Sequence, residues 1–181
     1  MNTSLTSRMQ RAARLHPDLY EEVEHDRSAT GQALQVVLIV GLASALGSAL
    51  GAILDRSIVW FFLGLLFGLA QIVFGWLIWS GVTLLVGKAL FKTEHTEVDY
   101  GQMLRTIGFA FSPGVLLILR FIPILGGLIS FVVFIWILIG VVIAVRHAMD
   151  FSTGRAIGTV VVGWLVLIVF NILLGVFLLW V

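Results

Sequence analysis

The chain has 181 residues, of which 60% are hydrophobic and 12% are charged, and its formal net charge is +1. This composition is too apolar for a water-soluble domain, in which about a quarter of the residues are charged. The small net charge excludes most nucleic-acid binders, which need many basic residues to neutralise phosphates. The lack of cysteine excludes disulfides, thiolate metal sites and cysteine nucleophiles. We therefore expect an integral membrane protein.

The first 32 residues form a polar tail before the apolar part of the chain begins. Apolar residues at helical spacing from Leu5 to Leu15 predict a short helix that lies on an anionic membrane surface. Three arginines beside this stripe are the predicted contacts with lipid headgroups: Arg8, Arg11 and Arg14. A solvated leader helix fits the same pattern. Pro17 interrupts the stripe, and a second short helix is predicted over residues 18–26.

Residues 33–181 form one predicted transmembrane domain. Five apolar stretches in it are long enough to cross about 30 Å of hydrocarbon as helices. They are predicted at about 33–54, 65–90, 103–121, 128–145 and 156–181. Because residues 58–91 are too long for one span and too short for two, a segment at 58–62 is expected to lie in the membrane interface. The predicted fold class is therefore an all-α bundle of five transmembrane helices.

Small residues recur at helical spacing in the first two spans, where they would let another helix approach closely. The predicted helix-packing residues are Gly41, Ala43, Gly47, Gly51, Gly64 and Gly68. The neighbour is either another span of this chain or another subunit. For the first span we favour contact within the chain.

The third span contains Ser112-Pro113-Gly114 near its centre. Pro113 removes a backbone donor and Gly114 loosens the turn, so a kink is predicted there. A broken span can line a substrate site, but no charged residue lies nearby, and we favour a role in packing. Two amides lie inside predicted spans, Gln71 and Asn171, and each is expected to form a hydrogen bond across a helix contact.

No set of residues converges on a reaction or on a metal. Glu94, His95, Glu97 and Asp99 cluster in one loop but lack the ordered spacing of metal ligands, so a solvated loop is expected. His147 could ligate the metal of a haem or pigment, although a lone histidine at a membrane interface is far more often solvated. We expect no cofactor, no metal site and no enzymatic activity.

The basic residues divide unequally between the two sides of a five-span topology. Nine lie on the side of the N-terminal tail: Arg8, Arg11, Arg14, Arg27, Lys88, Lys92, Arg105, Arg146 and Arg155. Two lie on the other side, Arg56 and Arg120. Because basic residues concentrate on the cytoplasmic side of membranes, the N-terminus is predicted to be cytoplasmic and the C-terminus outside.

Several strings, taken in their order and spacing, carry a family resemblance. They are Tyr100 to Ala110 (YGQMLRTIGFA), Ser112-Pro113-Gly114, Ile122 to Gly127 (IPILGG), Arg146-His147-Ala148, Ser152 to Ala156 (STGRA), Asp18 to Glu22 (DLYEE) and Ser28 to Ala33 (SATGQA). Together they resemble the Yip1 domain in its bacterial form, from about residue 8 to the C-terminus.

This resemblance implies a five-span helical bundle with a cytoplasmic N-terminus, located in the bacterial cytoplasmic (inner) membrane. It brings no catalytic residues. Eukaryotic members are associated with Rab GTPases, but Asp18-Leu19-Tyr20 is not followed here by the Gly-Pro of their tail motif. A Rab-type GTPase is therefore not an expected partner.

The predicted function is that of a non-enzymatic structural or accessory subunit, which packs against a membrane complex or against itself. One alternative is a transporter or channel for a small polar solute, which would use the Pro113 break with Gln71 and Asn171. This is disfavoured because no Asp, Glu or Lys lies deep in a span. Another alternative is a lipid-organising protein that uses the basic tail. The expected partners are the lipid bilayer and either a membrane protein or a second copy of the chain.

Overall fold

The structure is a computed structural model that describes the backbone of residues 4–52, 58–94 and 96–180. All secondary-structure elements in this part of the chain are helical. The seven α-helices are α1 (Leu5–Ala13), α2 (Pro17–His25), α3 (Ala29–Ala52), α4 (Ile58–Val86), α5 (Tyr100–Ala110), α6 (Leu125–Ala148) and α7 (Thr153–Trp180). A π-helical turn, Gly87–Phe91, extends α4, and a 3-10 helix, Ser112–Phe121, follows α5.

Four helices are long and apolar enough to cross a membrane, and they contain the spans Ala29–Leu50, Leu65–Phe91, Leu125–Ala148 and Thr153–Leu173. Helix α5 and the 3-10 helix meet at a bend of 42°, and they bring the number to five if the bent pair is one span. The predicted all-helical, polytopic fold class is confirmed. Residues 58–62 are helical from Ile58 onward and continuous with the second span, so they do not form a separate element.

The bent span turns at Phe111, next to the residues predicted to form the kink. Pro113 has no amide hydrogen to donate, and the Ser112 hydroxyl donates to the carbonyl of Phe109 over 2.7 Å. Gly114 lies so close to α3 that a Cβ there would be 2.4 Å from Cγ1 of Val40. The bend therefore brings the 3-10 helix against α3.

A tight return turn joins the 3-10 helix to α6. Ile124 has a φ of 67°, in the left-handed region, and the amide of Leu125 donates to the carbonyl of Pro123 over 2.7 Å. A Cβ at Gly126 would be 2.0 Å from the carbonyl oxygen of Arg120. Only glycine fits there, because any side chain would collide with backbone.

The buried side chains concentrate at one end of the bundle. Here α1 and α2, which we call the N-terminal hairpin, pack against α5, α6 and the 3-10 helix. Large side chains that are fully buried at this end are Leu19, Tyr20, Val36, Met103, Ile107 and Phe109. At the other end, α7 is exposed on nearly every side from Trp164 to Leu173. Exposure of an apolar helix has little cost in a bilayer, since lipid tails are as apolar as leucine.

Candidate functional site

The N-terminal hairpin is held together by ion pairs around a buried arginine. The guanidinium of Arg8 donates to Glu22 over 2.9 Å, to Asp26 over 2.7 Å and to the side-chain oxygen of Gln32 over 2.8 Å. Arg11 also pairs with Glu22. Burial raises the pKa of Glu22, but Arg11 and Arg8 together outweigh burial and lower it. The hairpin is therefore fastened to itself and to the start of α3.

The prediction that Arg8 contacts lipid headgroups is wrong. Arg8 is 1% exposed, and its guanidinium is occupied by acceptors within the chain. A buried cation has to be paired because its desolvation is costly, and Glu22 and Asp26 supply the pairing. Arg11 is partly buried and shares Glu22, while Arg14 is exposed and stays available for headgroups.

A second set of contacts fixes the hairpin to the bundle. Arg105 on α5 is buried and donates to two carbonyls at the end of α2, that of Val23 over 2.9 Å and that of Glu24. These carbonyls lack partners inside the helix. On the other side, the indole of Trp136 on α6 donates to the carbonyl of Ala13 at the end of α1 over 2.8 Å. Both helix ends thus dock through capping by bundle side chains.

Tyr20 inserts between α5 and α6. Its ring is fully buried, and the hydroxyl oxygen would lie 3.3 Å from a Cβ at Gly140. In the part of the chain that the structure describes, this hydroxyl has no hydrogen-bond partner. Burial raises its pKa, so the phenol stays neutral. Gly140 therefore leaves space for the Tyr20 hydroxyl.

The Glu24 carboxyl is buried where α2 meets α5. It accepts one hydrogen bond, from the side-chain amide of Gln102 over 3.1 Å. Burial raises its pKa to about 7; Asp150 and Glu21 act in the same direction, and His25 and Arg105 oppose them. Since Arg105 donates to backbone carbonyls, Glu24 has no ion-pair partner within 4.0 Å among the described residues.

A different surface lies on α4, on the outside of the bundle. Gly68, Gln71 and Gly75 fall on one face of this helix, and we call them the α4 stripe. No atom of a neighbouring described helix lies within 4 Å of where a side chain would begin at Gly68 or Gly75. Gln71 is exposed, and no hydrogen bond to it is found among the described residues. Phe67 and Phe74, exposed by 68% and 63%, form a ridge beside the glycines.

The other predicted packing residues have different surroundings. A Cβ at Gly41 would be 2.8 Å from Ile72 of α4, and one at Gly47 would be 2.3 Å from the carbonyl of Leu117. Ala43 is buried. These three residues therefore lie in contacts within the chain. Gly51 and Gly64 are not among the residues whose surroundings the structure describes.

The two intramembrane amides do not meet inside the bundle. Gln71 is on the outer face of α4, and Asn171 is exposed on α7, where its amide donates to the carbonyl of Leu167 of the same helix over 2.8 Å. Neither side chain lines an interior path in the described part of the chain.

The loop before α5 bounds an open cavity of about 490 Å³. Its lining includes Lys88, Lys92, Glu97 and Gln102. His95, part of the acidic loop cluster, lies outside the described residues, and among those described no three His, Asp or Glu side chains are placed to hold a metal. Nε2 of His147 is buried and has no hydrogen-bond partner among them.

The hairpin contacts of Glu24, Gln102, Arg105 and Trp136 were not predicted from the sequence. Arg105 entered only as a charge in the topology. The sequence carries a signal only for the ion pairs inside the hairpin: the acidic run from Asp18 to Asp26 beside the arginines of α1 indicates pairing between the two helices.

The Yip1 domain matches the chain over residues 15–179. The chain belongs to the Yip1 domain family. The resemblance found in the sequence is thereby confirmed, and with it a polytopic membrane protein. Comparison with curated proteins found no match, and comparison with solved structures found none.

The Yip1 match has an informative boundary. It begins at Leu15, so it includes α2 and all the later helices and leaves out α1. In this Yip1-domain protein, the partner helix of α2 therefore precedes the matched region, although α1 and α2 share the ion pairs of Arg8 and Arg11.

Proposed function

We propose that this chain is a non-enzymatic membrane protein that works by helix–helix assembly in the bilayer, with a second copy of itself as the partner. The observation that supports this is Gln71, an amide on the outer face of a span, between two glycines that no neighbouring helix covers. The Yip1 family match is consistent with such a role but does not specify a partner.

An amide in hydrocarbon gains from finding a hydrogen-bond partner, and such bonds between membrane helices contribute about 0.6–2 kcal/mol. In a two-fold symmetric contact, the same surface of both copies meets. Gln71 of one copy can then bond to Gln71 of the other. Gly68 and Gly75 allow close approach, and the ridge of Phe67 and Phe74 fits a glycine groove.

The same proposal places the protein in a bacterial cytoplasmic membrane, with the N-terminal hairpin on the cytoplasmic side. The excess of basic residues on the side of the tail supports this orientation. In the alternative, the α4 stripe binds another membrane complex, of which this chain is an accessory subunit.

Cross-linking in native membranes tests the self-association. The chain has no cysteine, so Ile78→Cys, exposed by 53% and in line with the stripe, introduces one reactive site. We expect a covalent dimer from Ile78→Cys on mild oxidation. Ile157→Cys on α7, exposed by 46%, is the matched control and should stay monomeric.

Gln71→Leu then tests the amide. We expect it to reduce the dimer from Ile78→Cys several-fold, while Asn171→Leu, which removes an exposed amide from another helix, leaves the dimer unchanged. A cross-link from Ile78→Cys that is no stronger than that from Ile157→Cys would contradict self-association. If the chain is purified from native membranes with a stoichiometric partner and without a dimer, the result would contradict self-association and support the accessory role.

A further inference from the structure

We propose that the N-terminal hairpin is a proton-sensitive latch, in which Glu24 holds the hairpin against the bundle when it is protonated and weakens the contact when it is ionised. The hairpin is built as a separate unit that covers the bent span. Its internal ion pairs lie between α1 and α2, and its capping contacts come from α5 and α6. It can therefore open as one body with the loss of the Arg8 hydrogen bond to Gln32 of α3, but without breaking the Arg8 pairs to Glu22 and Asp26.

The surroundings of Glu24 favour the neutral carboxyl. Glu24 is 7% exposed, and its one hydrogen bond comes from a neutral amide, Gln102. A buried carboxylate with so little compensation is costly to form. Arg105 of α5 donates its hydrogen bonds to the backbone carbonyls of Val23 and Glu24, and not to the Glu24 carboxylate.

The charged groups around Glu24 come from each element that meets it. Glu21 and His25 lie on its own helix, Arg105 lies on α5, and Asp150 lies between α6 and α7. The two acids favour the protonated form, and the two bases favour the ionised form. Arg8 and Arg11 on α1 face Glu22 and Asp26 instead.

The direction of the pH effect follows from proton linkage. When the hairpin is open, Glu24 is solvated and has its ordinary pKa of 4.5, whereas in the docked state the pKa is about 7. The docked state thus binds the proton more tightly, so docking is strongest at low pH and weakens as the pH rises towards 7. The change is about tenfold in the docking equilibrium for each pH unit in this window, and docking becomes constant above it.

Thiol accessibility in the full chain measures the opening. Ala12 belongs to α1, which packs against α5 and the 3-10 helix, and it is fully buried, so Ala12→Cys reacts with a methanethiosulfonate reagent only when the hairpin opens. Thr6→Cys is exposed and corrects for the ionisation of the thiol itself. The ratio of the two rates is proportional to the open population, even when that population is small. Leu19→Cys on α2 serves as a second buried site if Ala12→Cys does not fold.

We expect this ratio to rise about tenfold per unit between roughly pH 5 and pH 7 and then to level off. In Glu24→Gln, which keeps a neutral hydrogen-bonding side chain, the ratio should stay low at every pH. In His25→Gln the rise should persist, which separates Glu24 from the histidine next to it on α2. A ratio that is equal at low and high pH in the parent chain, or a rise that survives in Glu24→Gln, would overturn the proposal.

Discussion

At the scale of single residues, Arg8 decides whether the hairpin holds together. It makes hydrogen bonds to Glu22, Asp26 and Gln32 from a position that is almost fully buried. Removing one member of a buried ion pair leaves the remaining charges unpaired. The carboxylates are partly exposed, with side-chain exposures of 16% and 29%, so water relieves part of the cost.

We predict that Arg8→Ala weakens the packing of α1 against α2 by about 2 kcal/mol, which corresponds to roughly a 30-fold increase in the population in which α1 has separated from α2. The accessibility of Ala12→Cys measures this increase. Arg14→Ala removes an exposed arginine from the next turn and should change the accessibility by less than about twofold. Equal effects of the two substitutions would show that Arg8 contributes nothing specific.

Arg8 also shows what a local pattern leaves undecided. The apolar stripe of α1 is the same whether its arginines face lipid phosphates or carboxylates of the next helix. The partners of Arg8 are 14, 18 and 24 residues away, and helical periodicity carries no information over that range. For glycines the limit is similar: spacing indicated close contacts in α3 and α4, but it could not tell Gly47 of α3, which meets backbone, from Gly68 of α4, which meets open space.

At the scale of the elements, the bent span is fixed by its contact with α3. Gly114 is fully enclosed between Val40 of α3 and Ile137 of α6. Valine is stiff at χ1 and cannot turn aside easily. The position therefore accepts no side chain without a shift of the helices.

We predict that Gly114→Leu lowers the thermal stability of the purified protein by an amount equivalent to about 1–3 kcal/mol, through overpacking. Gly127→Leu is the matched control, because no neighbouring atom of the described residues lies within 4 Å of where its side chain would begin. The melting temperature in detergent is the measurement. A melting temperature that falls equally in both variants would indicate a loss of glycine flexibility and not a collision.

The break in this span could be read from Pro113 and Gly114, because each removes something that a continuous helix needs. The ten-residue 3-10 helix that follows the break could not be predicted from the sequence. Such helices are usually three or four residues long, and this one depends on contacts with α3 and α6 that only the folded bundle supplies. Span positions were accessible from hydropathy alone, since lipid leaves helices as the only economical structure.

At the scale of the whole molecule, the topology rests on charge. The basic residues give a clear expectation, and the fold gives positions at which to test it. Thr6 lies at the start of α1 and Ser152 before α7, both on the side of the tail, while Ile124 lies in the opposite turn and is 97% exposed.

We predict that an impermeant thiol reagent added outside intact bacterial cells labels Ile124→Cys and does not label Thr6→Cys or Ser152→Cys. Cell lysis should make the last two reactive. Labelling of Thr6→Cys in intact cells would reverse the topology. Labelling of Thr6→Cys but not of Ser152→Cys would put the two residues on opposite sides of the membrane. An odd number of spans would then lie between them, and not the even number that we predict.

The hairpin also makes the apolar belt of the molecule uneven. Along α6, exposed large apolar side chains run from Leu125 to Ile139, a height of about 20 Å. Along α4 and its π-helical turn they run from Phe62 to Leu90, about 42 Å. A bilayer of about 30 Å cannot match both heights, so it must thin beside the hairpin, or the molecule must tilt. Opening of the hairpin would uncover more of α6 and relieve this hydrophobic mismatch, which couples the state of the latch to the thickness of the surrounding membrane.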